Sequence, residues 1–298
     1  MLGTLIWRLK EATAVFLGKK KTERQLPKKN YPERNLKNLT PFQTNDEKLN
    51  SFLANLSIEF IFSEFNEERV NAGGADLSHQ LRLDPSLSTL KKYFPNAKYT
   101  VYSDFDLKID GVNLKKIQTP VLQNKKNLKR HFYHLADYYK FKGMLDSEAD
   151  VAISIDSDMY VLNEDVYSLI YLTEKFGFCV PNSSAQSMNF EVETSLDTIP
   201  VTDESKGFGT TSNITPMTLS KKSEAGKVFY EKCCEMMEAE PSRASIVMWK
   251  AAWATSVYPY VLPKEFCVCR GNEGLGNEVI LHVGHPTVAD FYNVKLEN

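Results

Sequence analysis

From residue 57 onward, short apolar runs alternate with longer stretches of mixed polarity. The runs at 58–62, 99–102, 117–122 and 151–155 predict strands, the last because four of its five residues are apolar. Between them, 84–94 predicts a short helix with Asp84 as N-cap and Pro85 as its first residue. Residues 128–145 predict a long helix. Another runs to Lys175 from a cap at Asn163 or Asp165, and 176–180 returns as a strand. Strands alternating with helices imply an α/β domain on a mostly parallel sheet. Beyond Pro181 the pattern weakens. Residues 182–212 read as polar loop, 221–238 and 242–255 as helices, and 257–261, 266–269 and 279–282 as short strands.

The front of the chain is different. In residues 1–21, Leu2, Leu5, Ile6, Leu9, Val15 and Phe16 share one helical face, with Lys19 to Lys21 behind them. Arg8, Lys10 and Glu11 interrupt the run, so it is too charged to span a bilayer, and its basic cluster follows the apolar part, unlike a secretory signal. Two roles fit this basic amphipathic helix: lying on an anionic membrane surface, or packing against protein. Residues 22–56 read as a polar linker leading to the domain 57–298. That domain divides into a first half, 57–181, and a second half, 182–298.

Charge sharpens the contrast. Residues 1–40 hold ten Lys or Arg against three Glu, a balance of +7 in a chain of net charge −2, so the remainder carries −9. An acidic body lacks the broad basic face of a nucleic-acid binder. At 298 residues and 42% hydrophobic, the chain can build a full core. Its five cysteines, Cys179, Cys233, Cys234, Cys267 and Cys269, are odd in number and lack zinc-knuckle spacing. They read as reduced, buried thiols of a cytoplasmic protein.

The candidate chemistry sits where the 151–155 run ends. Asp156 and Asp158 are two apart, so strand alternation points both carboxylates the same way, at the sheet edge where open α/β folds bind ligands. Two like charges so close call for a divalent cation between them. The alternative is a strand that simply runs into an Asp-rich turn.

With these residues stand a Gly-containing loop at 69–76, Tyr93-Phe-Pro-Asn-Ala-Lys98, Ser103-Asp104 at a strand end, and a late His282-Val-Gly-His-Pro286. Over roughly 57–290 the series resembles the GT-A glycosyltransferases, and among them the glycogenin-like and lipopolysaccharide-galactosyltransferase-like members. The resemblance implies a Rossmann-like GT-A fold with a mostly parallel central sheet flanked by helices and a less regular acceptor-side region. It implies a nucleotide-diphosphate-sugar donor, a glycan or lipid-linked acceptor, and Mn²⁺ or Mg²⁺ on the donor diphosphate. The enzyme would be a hexosyl- or pentosyltransferase, cytoplasmic, and peripheral on a membrane if residues 1–21 bind one. Asp158 would be a direct metal ligand, Asp156 a ligand of the metal or the ribose, and Ser157 a neighbour of the nucleotide. His282 would complete the metal site, with His285 the alternative because the spacing to Gly284 is one residue short of the family's. Ser63, Arg69, Asp104 and Lys140 fall where relatives hold the donor. Asp203 and Glu204 are the candidates for a catalytic base, and Thr211-Ser-Asn-Ile214 replaces the family's Asn-Ser-Gly.

Two rival functions share the motif. A haloacid-dehalogenase-like phosphatase also puts Asp-X-Asp at a strand end, but places a Thr or Val where Tyr160 stands and has its motif near the domain start. A non-catalytic sugar-nucleotide-binding module would need only the fold.

Overall fold

The computed structural model describes residues 46–66, 79–118, 131–182, 214–269, 276–284, 288 and 291–292, all within one compact unit, 32–298. The readings of 1–21 as an amphipathic helix and of 22–45 as linker lie outside these residues. The end of the expected linker is helical, α1 (Asp46–Ala54), and its Phe52 and Leu53 pack on the core.

The rest runs β1 (Ile58–Glu64), α2 (His79–Tyr93), β2 (Lys98–Ser103), β3 (Asn113–Lys116), α3 (His131–Leu145), β4 (Val151–Ser154), β5 (Met159–Val161), a 3₁₀ turn (Glu164–Val166), α4 (Tyr167–Phe176) and β6 (Phe178–Val180). It continues as β7 (Met217–Ser220), α5 (Glu224–Ala239), α6 (Ala244–Thr255), β8 (Tyr260–Val261), a 3₁₀ turn (Lys264–Phe266) and β9 (Ile280–His282). Seven strands form one sheet in the order β3-β2-β1-β4-β7-β6-β8. The chain is an α/β protein with a mostly parallel sheet. The pairs β3/β2, β2/β1, β1/β4 and β6/β8 are parallel, and only β7 opposes its neighbours β4 and β6.

Side chains of β1 alternate between two cores. Ile58, Phe60 and Phe62 face the side covered by Leu83, Leu87 and Leu90 of α2 and by Leu169 and Ile170 of α4. Ile61 and Phe65 face the side covered by α3, α5 and α6. Burial on both faces explains why the strand reads as a continuous apolar run. Gly143 lets α3 lie close to the sheet, since a Cβ there would come within 2.7 Å of Ile61 and 2.8 Å of Tyr102. Among the described residues no helix is long and apolar enough to cross a membrane.

The structure corrects several sequence expectations. Asp84 does not cap a helix and Pro85 does not begin one. Both lie inside α2, where buried Leu83, Leu87 and Leu90 hold the helix to the sheet through the proline. Of the expected run 117–122, residues 117 and 118 are not strand and 119–122 lie outside the described residues; the third strand of the structure is Asn113–Lys116. It is an edge strand, and edges favour polar and lysine-bearing sequences. β7 went unread because Thr218 and Ser220 interrupt its apolarity. Thr218 is fully buried, and its Oγ1 accepts bonds from Thr173 Oγ1 at 2.7 Å and Cys179 N at 3.1 Å. Of the expected strand 266–269, Phe266 closes a 3₁₀ turn from Lys264 and Val268 makes an isolated bridge to Leu281. All five cysteines are buried, as expected.

One charged residue is buried within the core strand β1. Glu59 is 2% exposed and accepts bonds from Thr100 Oγ1 (2.6 Å) and Ser147 Oγ (2.6 Å), with Lys98 Nζ at 3.0 Å. Burial pushes its carboxyl up, but the bonds from Ser147, Thr100 and Lys98 outweigh this, and it lies below the ordinary value of 4.5. A carboxylate depressed on folding stabilises fully above its unfolded pKa, and the gain is lost as pH falls through the folded value. Glu59→Ala, which strands two hydroxyls, is therefore expected to cost about 2–4 kcal/mol in urea unfolding at pH 7. The difference from wild type should shrink on acidification below about pH 4.

Candidate functional site

The sheet changes direction of growth between β1 and β4. The chain adds β2 and β3 on one side of β1, then crosses to put β4 on the other. The carboxyl ends of two such neighbouring strands open a crevice, the usual ligand position in open α/β sheets. β4 follows β1 as far as Ile155, whose N–H donates to Ile61 O at 3.0 Å. Asp156-Ser-Asp158 comes next, at the mouth of this crevice.

The two aspartates are not on a strand. Met159 N donates to Asp156 O at 3.2 Å, closing a turn over 156–159 between β4 and β5. Strand alternation is thus not what aligns the carboxylates. The turn does so, together with a two-stranded ribbon in which β5 pairs antiparallel to β9 with Met159 opposite His282. Val283 N donates to Asp158 O at 2.8 Å and fixes the register beyond the ribbon. His282 Nε2 then lies 3.0 Å from Asp158 Oδ1 and 3.8 Å from Asp156 Oδ2. Gly284 is needed by contact: a Cβ there would stand 1.7 Å from Asp158 Oδ2.

Lys140, buried on α3, reaches the same point. Its Nζ is 2.5 Å from Asp156 Oδ1 and 3.5 Å from Asp137 Oδ1. Thr215 Oγ1 donates to Asp156 Oδ2 at 2.5 Å. Both Asp156 oxygens are therefore engaged, whereas Asp158 presents its carboxylate to His282. Burial pushes the Asp156 carboxyl up, but Lys140 and His282 more than reverse this and hold it below the usual range. Burial alone would depress the Lys140 ammonium, yet Asp156 and Asp137 keep it firmly charged. Asp137 is raised, chiefly by burial, and hydrogen-bonds the backbone of Ala244, the first residue of α6. Burial also disfavours a charged His282, but the Asp158 carboxylate beside it dominates and lifts its pKa well above the ordinary 6.5.

The residues fit a hard divalent cation. Asp156, Asp158 and His282 each offer one donor atom, all within 4.8 Å of one another. Adjacent donors in an octahedral shell with ~2.1 Å bonds stand about 3 Å apart, close to the 3.0 Å between His282 Nε2 and Asp158 Oδ1. With His282 neutral, Asp137, Asp156 and Asp158 against Lys140 leave two negative charges, matching one such ion.

Ser63 is buried and donates to Ala136 O at 2.7 Å, tying β1 to α3. Asp104, at the carboxyl end of β2, accepts from Asn66 N at 2.7 Å and so shapes the chain leaving β1, where Asn66 has φ +66°. Ser157 is buried in the turn. Arg69, Asp203, Glu204 and His285 lie outside the described residues. Asp137, Thr215 and Gly284 complete the cluster and were not assigned roles from sequence. Asp137 is three residues before Lys140, a spacing that puts both on one helix face. Thr215 has no local sequence signal.

No protein-family model matches the chain, and no curated protein matches it. Among solved structures it is similar to the galactosyltransferase LgtC in complex with donor and acceptor sugar analogs. The two share 10% identity over 75% of this chain and 86% of that one, with a TM-score of 0.44. It is also similar to the apo-form glycosyltransferase GlyE of Streptococcus pneumoniae TIGR4, at 12% identity over 76% of this chain, TM-score 0.45. The match spans about half of GlyE, 54%.

Two outcomes follow from the geometry. Gly284→Ala displaces the flexible end of Asp158 rather than backbone. It should leave the melting temperature nearly unchanged and weaken Mn²⁺ binding about 10-fold or more by titration calorimetry. A cation must also displace the proton that Asp158 holds on His282. Mn²⁺ affinity should therefore rise about 10-fold per pH unit below the folded pKa of His282, and His282→Gln should flatten that slope.

Proposed function

We propose that this chain is a metal-dependent glycosyltransferase. It would move a hexosyl or pentosyl group from a nucleotide-diphosphate sugar to a glycan or lipid-linked acceptor. The observation that carries the reading is the meeting of Asp156, Asp158 and His282 at the carboxyl edge of β4, beside β1. Asp158 and His282 hold the cation, Mn²⁺ or Mg²⁺, with Asp156 as third ligand or ribose contact. The bound cation would supply Lewis-acid stabilisation of the leaving diphosphate.

The chain's own groups do the positioning. Lys140 fixes Asp156 and adds a positive charge that stays in place near the departing diphosphate. Thr215 orients the other Asp156 oxygen, so one rotamer of that carboxylate faces the crevice. Asp104 holds the backbone of Asn66 at the carboxyl edge of β1, next to the same crevice, where the nucleoside would lie. Ser157 belongs to the turn and Ser63 acts through α3. Arg69 on the diphosphate, His285 as substitute ligand, and Asp203 or Glu204 as base are the remaining assignments of this reading. Residues 1–21 would bring the enzyme to anionic lipid, making it cytoplasmic and membrane-peripheral.

The phosphatase alternative asks Asp156 to attack phosphorus. Its two oxygens are instead held by Lys140 and Thr215, which gives that role no support.

The reading is tested by a thermal-shift screen of nucleotide-diphosphate sugars with and without Mn²⁺, followed by donor hydrolysis. Stabilisation should require both ligands together, reaching about 2.7 kcal/mol at a donor concentration 100-fold above Kd. Turnover should vanish on chelation, and Asp158→Asn should lower it ~100-fold or more. Turnover indifferent to chelation and to this substitution would defeat the assignment.

A further inference from the structure

Behind His282, on the side away from the aspartates, two thiols converge. Val268 bridges to Leu281 of β9, with Val268 N donating to Ile280 O at 3.1 Å and His282 N to Val268 O at 2.9 Å. Val268 and Leu281 pack together in a small separate cluster. Side chains alternate along an extended segment, so Cys267 and Cys269 turn to the opposite face from Val268, as His282 does from Leu281. Cys267 and Cys269 are 1% and 5% exposed. Their sulfurs are 3.5 Å apart, and Cys269 Sγ is 3.7 Å from His282 Nδ1. All three donor atoms lie within 4.8 Å of one another.

These separations resemble those around a tetrahedral thiophilic ion. With metal–sulfur bonds of ~2.3 Å and metal–nitrogen bonds of ~2.1 Å, two thiolates stand about 3.8 Å apart and a thiolate and imidazole nitrogen about 3.6 Å apart. Sulfur donors select soft or borderline cations over Mg²⁺ and Mn²⁺. The other imidazole nitrogen meets Asp158 Oδ1 at 3.0 Å. A carboxylate accepting the second N–H of a metal-binding histidine is the recurrent support of zinc ligands.

We infer that Cys267, Cys269 and His282 Nδ1 form a binding site for a thiophilic divalent cation of the zinc class, with Asp158 orienting the histidine. On binding, each thiol releases its proton to solvent, protonated His282 releases the one on Nδ1, and the sulfur and Nδ1 lone pairs go to the metal. Neutral imidazole has one nitrogen lone pair to give. When Nδ1 ligates the soft ion, Nε2 carries the proton and donates to Asp158. When Nε2 ligates a hard ion, Nδ1 carries the proton and faces Cys269. His282 therefore serves one cation at a time. The thiolate site itself does not depend on the transferase reading, although the exclusion of Mn²⁺ rests on His282 being a ligand there.

The test uses the full chain, purified reduced, freed of metal with chelator, and titrated with Cd²⁺ and Zn²⁺. Cd²⁺ should raise a thiolate-to-metal charge-transfer band in the ultraviolet that saturates at one equivalent. Cys267→Ser and Cys269→Ser should each remove much of the band, and Cys233→Ser should leave it intact. Asp158→Asn should keep the band and weaken affinity ~10–100-fold. Cys267→Ala, apolar and small, serves as the second variant should the serine disturb folding, which circular dichroism reads. Absence of the band in wild type, or its survival in the Cys267→Ser/Cys269→Ser double variant, overturns the site. Zinc loading should also release bound Mn²⁺, seen as the free-ion signal by electron paramagnetic resonance. Mn²⁺ that stays bound beside zinc overturns the sharing of His282. Loss of donor turnover as a criterion for Asp158 bears on the transferase alone and leaves these readouts untouched.

Discussion

The site depends on charge compensation at the end of β4. Two carboxylates two residues apart, both largely removed from water, repel one another and lose hydration. Lys140 answers one of them from α3 and His282 answers the other from β9. Neither partner is near the aspartates in sequence. The sheet brings α3 behind β4, and the β5/β9 ribbon brings the C-terminal histidine across. Remove this compensation and the turn at 156–159 has no reason to hold two anions at one point. Keep it, with His282 neutral, and the cluster is short of charge by the amount one divalent ion supplies.

That arrangement also explains why small or unusual residues occur where they do. Gly284 leaves room for the Asp158 carboxylate, with which any side chain would collide. Gly143 lets α3 approach the sheet closely enough for Lys140, on the same helix, to reach Asp156. Thr215 stands just before β7, the one strand of the seven-stranded sheet that opposes its neighbours, and its hydroxyl holds the second oxygen of Asp156. Sheet, turn and ribbon therefore converge on one carboxylate pair. His282 is the hinge of the chemistry because each of its nitrogens faces a different class of donor, oxygen on one side and sulfur on the other.

Much of the fold was legible in the chain. The two-sided burial of β1 and β4 shows as continuous apolar runs, and the alternation with helices predicted the mostly parallel sheet. Elements whose stability comes from neighbours were not legible. β3 is polar because it is an edge, β7 hides a buried threonine whose hydroxyl is satisfied by Thr173, and α2 passes through Pro85 because its leucines are anchored on the sheet. The bond from the Ser63 hydroxyl to a carbonyl of α3 had no local signal either.

Sequence alone determined the Asp-X-Asp pair at the end of a buried strand, the late histidine and the α/β class, because these follow from local polarity and its period. Tertiary structure decided which groups meet. Lys140 reaches Asp156, Asp137 joins through Lys140, and Cys267 and Cys269 share His282 with the aspartates. The physical reason is that charge pairing and metal geometry act over a few ångströms of space, and the residues that supply them here are separated by up to 145 positions of chain, from Asp137 to His282.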